Sequence, residues 1–184
     1  MAMREARRVA LLRGVNVGGK NKLAMRELCA VFEAAGCTES ESYIQSGNVV
    51  FRSELEDAAL QIRLAAAIEE QFGFAVPVVV RTAAEMQMAI DKNPFVGVAE
   101  ERLAVMFLRD RPTAEALVRM EAERFLPERF AVVGGEVYLD MPRGAGRSKM
   151  TTAYFDGRLK TVGTVRNLRT VRTLVKMAGV PQSR

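Results

Sequence analysis

The sequence predicts an α+β protein of two similar halves with antiparallel sheets, and three observations carry that prediction. Strand-like and helix-like segments follow one another in the order β-α-β-β-α-β over residues 1–96, and the same order begins again in residues 97–184. Ser46-Gly47 and Gly134-Gly135 join consecutive strands through glycines, which permit the positive φ of a tight hairpin, so the joined strands run antiparallel. Pro77 falls inside the fourth strand, and a sheet tolerates proline mainly at an edge, which is where that strand lies in a split β-α-β-β-α-β unit. The pattern is that of a ferredoxin-like α-β plait, used twice in tandem and followed by a C-terminal helix.

Each element has its own signal. Val9-Ala10-Leu11-Leu12 is a short buried strand that ends at Arg13-Gly14. After a glycine-rich loop, Met25, Leu28, Val31, Phe32 and Ala35 share one helical face, and Gly36 stops the helix. Residues 41–45 and 48–52 are the hairpin strands. Ser53 and Glu56 have the spacing of a capping box, opening a long helix with Leu55, Ala58, Ile62, Ala65 and Phe72 as its apolar face. Residues 75–81 form the strand that carries Pro77, and Thr82 with Glu85 caps a short helix ending at Asn93-Pro94. In the second half, 103–108 is a strand and Pro112-Thr113 opens a helix to about 123. Strands 130–133 and 137–140 form a hairpin, and a short helix runs from Ser148 to a break near Asp156-Gly157. A short strand over 161–165 completes the unit. The last helix starts at Asn167, buries Leu168, Val171, Leu174, Val175 and Ala178, and ends at Gly179.

Composition removes several kinds of chemistry. The 184 residues include no histidine, which excludes Ser-His-Asp and Cys-His catalysis, histidine metal sites and a histidine base. Cys29 and Cys37 are too few for a disulfide framework and match no metal spacing. No apolar run reaches the ~20 residues of a membrane span, and the apolar stretch after the charged N-terminus is too short for a signal peptide, so a cytoplasmic location is expected. The net charge of +5 favours anionic partners, but the cations are spread along the chain. Neither a cofactor nor a metal is expected.

The most informative motif is Arg13-Gly14-Val15-Asn16-Val17-Gly18-Gly19-Lys20, which leaves the first strand. It has the G-x-x-x-x-G-K spacing of a phosphate-binding loop, but Asn21 stands where a magnesium-binding hydroxyl belongs, and the following hairpin is foreign to a parallel P-loop sheet. A nucleoside triphosphatase is therefore set aside. Two readings of the loop stay open: Gly18 and Gly19 bring backbone N–H groups to an anion near a helix start, or they serve only a tight turn. In a plait the end of the first strand adjoins the start of the third. That places Arg13, Asn16 and Lys20 beside Gln45, Ser46 and Asn48, a group suited to an anionic ligand or to holding the loop together. Arg143-Gly144-Ala145-Gly146-Arg147-Ser148-Lys149 offers cations at a helix start, of which Lys149 is the candidate, although basic surface loops are common. In Arg166-Asn167-Leu168-Arg169, Asn167 reads as an N-cap, leaving Arg166 and Arg169 on the surface, of which Arg166 is a candidate ligand contact. Asp110 and Asp140 each end a strand without a catalytic partner in sequence. Few aromatics lie on the central strands, which disfavours an RNA recognition motif.

Several of these motifs are familiar together. Leu12 to Lys22, Tyr43-Ile44-Gln45-Ser46-Gly47-Asn48-Val49-Val50-Phe51, Asn93-Pro94-Phe95, Ser148-Lys149-Met150 and Thr164-Val165-Arg166-Asn167 resemble the bacterial family catalogued as domain of unknown function 1697. Leu168 departs from that pattern, which has tryptophan after Arg-Asn. The resemblance implies two α-β plaits per chain and no established activity. The expected function is binding of a phosphate-bearing ligand, nucleotide or nucleic acid, at the edge made by residues 13–20 and 45–48. The alternatives are a carboxylate- or metal-dependent enzyme using Asp110 or Asp140, and a homo-oligomeric interaction module that uses strand edges.

Overall fold

The computed structural model describes residues 7–179. Among these residues, two four-stranded antiparallel sheets and six α-helices make a mixed α+β fold. The first sheet contains β1 (Arg7–Leu12), β2 (Thr38–Tyr43), β3 (Asn48–Arg52) and β4 (Val78–Thr82), in the order β2-β3-β1-β4. With it go α1 (Met25–Ala34), α2 (Asp57–Phe72) and α3 (Ala83–Asp91). The second contains β5 (Leu103–Leu108), β6 (Arg129–Val133), β7 (Glu136–Asp140) and β8 (Gly163–Asn167), in the order β6-β7-β5-β8, with α4 (Ala114–Val118) and α5 (Thr152–Leu159). The helix α6 (Leu168–Met177) follows β8 directly. By contacts the chain divides into two compact units, one running up to Gln87 and resuming at Thr173, the other Met88–Arg172.

In the first unit Ala10, Leu12, Val49, Phe51, Val78 and Val80 share one sheet face and join Leu28, Phe32, Leu60, Leu64 and Ile68 in one core. Phe32 and Phe51 meet edge to face, with ring centroids 5.2 Å apart. The α1 face is as its spacing predicts, with Met25, Leu28, Val31, Phe32 and Ala35 all buried. The α2 face differs. Leu60, Leu64 and Ile68 are its buried stripe, whereas Ile62 is 74% exposed. The alanines of this helix weaken the contrast between faces, and a stripe at i, i+4 and i+8 competes with the one expected.

The Ser53–Glu56 capping box is also absent. Ser53 Oγ instead accepts from Leu55 N at 3.2 Å, and α2 starts at Asp57 with no side-chain cap. Arg8 does the work there, donating to Asp57 Oδ1 at 2.6 Å and to the Ser53 carbonyl, which fastens β1 to the start of α2. The Thr82–Glu85 box forms as expected. Thr82 N donates to Glu85 Oε2 at 2.9 Å, and Glu85 N donates to Thr82 Oγ1 at 3.1 Å.

Other boundaries move for physical reasons. Pro77 precedes β4 instead of lying within it, so it costs the ladder no hydrogen bond. The hairpin loop takes in residues 44–47, with positive φ at Ile44 and Gly47, and β2 begins at Thr38. A register irregularity separates Thr38 from Glu41 in β2, where Glu39 has φ +49°. In the second unit α4 stops at Val118 and a 3-10 turn, Ala122–Phe125, takes the rest of its expected span. The helix expected from Ser148 starts at Thr152, capped by Thr151, and runs through Gly157 without a break. The strand expected at 161–165 is β8, two residues later.

The two sheets repeat each other in register. Arg8↔Thr82, Val9↔Arg81 and Leu12↔Val78 in the first correspond to Ala104↔Asn167, Val105↔Arg166 and Leu108↔Gly163 in the second. Leu12 N donates to Gly47 O and Leu108 N to Gly135 O; Arg13 N donates to Pro77 O and Arg109 N to Val162 O. Thr82 and Asn167 then cap α3 and α6 in the same way, Asn167 Oδ1 accepting from Thr170 N at 2.7 Å. Sequence reading saw only the repeated order of elements; the structure adds matched pairs and matched hydrogen bonds. The correspondence breaks after β1. Residues 13–24 connect β1 to α1, whereas residues 109–113 are enough to connect β5 to α4.

Candidate functional site

The longer connection is the glycine-rich loop, and its path is set by asparagines. Asn16 adopts φ +54°, a left-handed conformation that asparagine tolerates better than most residues. Its Nδ2 donates to Leu23 O at 3.0 Å and to Gln45 O at 2.9 Å, and its Oδ1 accepts from Leu23 N at 3.0 Å. Asn21, also at positive φ, donates from Nδ2 to Gly14 O at 3.0 Å. The missing hydroxyl at position 21 thus has a structural meaning, because the amide that replaces it closes the loop. Between the asparagines, Lys20 N donates to Val17 O at 3.0 Å across Gly18 (φ +57°) and Gly19 (φ +75°). Two successive positive φ values are the type I′ turn geometry. The tip is therefore a miniature hairpin that leaves Val17, Gly18, Gly19 and Lys20 exposed.

The loop and the 45–48 turn lie side by side. Leu11 pairs with Asn48, and Leu12 N donates to Gly47 O at 2.8 Å. Gly47 is held at φ +74°, and a Cβ there would lie 2.5 Å from Val15 Cγ2 and 2.7 Å from Leu12 Cβ. Only glycine permits that approach. Asn48 is fully buried and donates from Nδ2 to Tyr43 O at 3.1 Å and Ser46 Oγ at 2.9 Å. Asn16 thus uses its amide to join the two segments and Asn48 uses its amide to hold the turn, while Lys20 and Gln45 remain exposed and Arg13 is half-buried.

Beside the loop, α1 begins after Ala24, whose side chain supplies no cap to the first N–H groups of the helix. This helix start opens on a shallow recess of about 670 Å³ lined by Asn16, Gly19, Lys22, Ala24, Glu27 and Phe72. Sequence reading named Gly19 but missed Lys22 and the recess. The missed signal was the absence of Ser, Thr, Asp or Asn immediately before Met25.

Lys149 and Arg166 belong to the second unit. Lys149 lies in the basic loop, its N–H donating to Glu128 Oε2 at 3.0 Å and its side chain exposed. That loop leads through a 3-10 turn, Ala145–Arg147, and not straight into a helix, so its cations do not stand at a helix start. Arg166, expected on the surface, is only 8% exposed, because it is part of β8, where it pairs with Val105 of β5. It donates to Thr164 Oγ1 at 2.7 Å and Val165 O at 2.8 Å, and burial pushes its guanidinium down to about 10, still a cation at neutral pH. Arg169 is exposed and lies 3.9 Å from Glu100. Leu168, where the family pattern has tryptophan, is buried.

The two aspartates differ. Asp110 is exposed, accepting from Arg109 Nε at 3.0 Å and Thr161 Oγ1 at 3.1 Å. Asp140 has no exposure and is clasped by Arg102 (2.9 Å at each oxygen) and Arg129 (2.6 Å at Oδ2). A buried carboxylate held by two guanidiniums on the sheet is a structural ion cluster. No group of three metal-capable His, Cys, Asp or Glu side chains occurs among the described residues. Desolvation pushes the Cys29 and Cys37 thiols up, away from the thiolate form that nucleophilic chemistry needs. No helix among the described residues is long and apolar enough to cross a membrane.

The fold and this loop-and-turn edge define a mixed α+β protein with two four-stranded antiparallel sheets. Residues 6–138 match the family described as protein of unknown function (DUF1697), and the chain belongs to that family. Among solved structures it is similar to that of the conserved bacterial protein SP0830 from Streptococcus pneumoniae, with a TM-score of 0.72 and 23% identity over 94% of this chain and 98% of that one. The likeness is one of fold. No curated protein matches the sequence.

Proposed function

We propose that the chain binds an anionic, phosphate-bearing ligand, nucleotide or nucleic acid, at the edge made by the 13–20 loop and the 45–48 turn. In this reading each half is a ferredoxin-like plait, 1–96 and 97–184, working in a reducing cytoplasm where Cys29 and Cys37 stay unpaired. One observation carries it: the α1 start, without a side-chain cap, opens on a recess that Gly19 and Lys22 also line. Helix N-termini present donor N–H groups and a partial positive charge, and an adjacent ammonium adds to both. The internal repeat gives independent support. The second unit closes the same β-to-helix connection with far fewer residues, so the scaffold itself does not need the exposed tip.

A thermal-shift series with nucleotides, sugar phosphates and oligonucleotides tests the reading. At a hundredfold excess over Kd, a ligand stabilises the native state by about 2.7 kcal/mol, a shift of several degrees. The expected result is such a shift, reduced in Arg13→Ala and Lys20→Ala. A panel without a shift, or a shift that both variants retain, contradicts it.

A further inference from the structure

The charge layout of this edge narrows the class of ligand, and the narrowing rests on the phosphate reading above. Between Glu5 and Glu27 the sequence has no acidic residue, while Arg7, Arg8, Arg13, Lys20, Lys22 and Arg26 all fall in that interval. Arg7 and Arg8 are committed to Glu39 and Asp57. Lys20, Lys22 and Arg26 are exposed, and none of them forms an ion pair with a described residue. They follow one another along the chain from the loop tip to the first turn of α1. Glu27 lines the recess itself, where its carboxylate opposes the clustered charges of a nucleoside triphosphate.

Two apolar side chains accompany the cations. Val17 at the tip is 63% exposed, and Ile44 in the facing turn is 49% exposed. The Asn16–Gln45 hydrogen bond of 2.9 Å holds their two segments together. Exposed aliphatic groups gain nothing from a phosphate. They gain by covering apolar area, which the sugars and bases of a single strand offer in succession and a duplex largely hides.

We infer that this edge is a docking surface for single-stranded nucleic acid, with Lys20, Lys22 and Arg26 on successive phosphodiesters and Val17 and Ile44 against sugars and bases. Each neutralised phosphate releases condensed counterions, so affinity falls with salt by a slope that counts the contacts.

Fluorescence anisotropy on the full chain tests this, using a labelled mixed-sequence single strand of about twenty nucleotides, its duplex, and a fluorescent ATP analogue. The single strand is expected to bind more tightly than either. Between about 50 and 200 mM salt, Lys20→Ala, Lys22→Ala and Arg26→Ala each lower the logarithmic salt slope by about 0.7, while Lys92→Ala leaves it unchanged. Val17→Ser and Ile44→Ser weaken single-strand binding about three- to tenfold at constant slope. Tighter duplex binding, or equal effects of Lys92→Ala and Lys20→Ala, overturns the inference. If the ATP analogue binds in a Lys20-dependent way and the single strand binds no better, this inference fails and the phosphate reading stands. If nothing binds, both fail.

Discussion

Gly47 shows how a single residue joins two segments. It is the point where the loop after β1 and the turn before β3 touch, and both its φ of +74° and its contacts with Val15 and Leu12 exclude a side chain. Gly19 shares the positive φ, but a Cβ there meets nothing within 4 Å. The pair separates packing from backbone strain. Gly47→Ala is expected to destabilise by about 2–4 kcal/mol, overpacking added to left-handed strain. Gly19→Ala should cost about 1 kcal/mol, since only the strain applies. Urea denaturation of both variants measures the difference, and equal losses would contradict the close approach. The residue scale is also where the sequence was hardest to read. Asn16, Asn21 and Asn48 were visible as polar groups on one edge, but their choice between ligand and backbone depends on carbonyls brought close by folding, such as Gln45 O. Arg166 was read as a surface cation because neighbouring polar residues obscure its place in a strand.

At the scale of elements, legibility followed contrast. The β5 strand, apolar throughout, was placed to the residue, and α1 was placed by its clear apolar face. The Thr82–Glu85 box was legible because both hydrogen bonds depend only on local spacing. Ser53–Glu56 has the same spacing, but Arg8 takes the Ser53 carbonyl and Asp57 from across the sheet, a long-range partner that local pattern cannot reveal. In α2 the alanines left two faces nearly equivalent to the eye. Its orientation gives a direct prediction. Leu64→Ala should cost about 2–5 kcal/mol, as cavity formation in a core does, whereas Ile62→Ser should fall within about 0.5 kcal/mol. Thermal or chemical denaturation of the two variants reads this out, and a larger loss at Ile62 would reverse the helix.

For the whole molecule, the organising fact is a repeated scaffold with one connection that is not repeated. The repeated order of elements could be read from sequence, because hydrophobic period and glycine turns mark each strand and helix. The matched register of β1 with β4 and of β5 with β8 could not, because the paired residues share little identity. Against that repeat, the connection from Arg13 to Ala24 stands out as the one without a counterpart of its length in the second unit, and the proposed ligand site rests on it. Nitrogen-15 chemical-shift mapping of the full chain during titration with a phosphate-bearing ligand tests that claim most directly. Saturable shifts concentrated at the amides of Gly18, Gly19, Lys20, Lys22 and the first turn of α1 are the predicted result. Saturable shifts centred on residues of the second unit, with this loop unmoved, would contradict it.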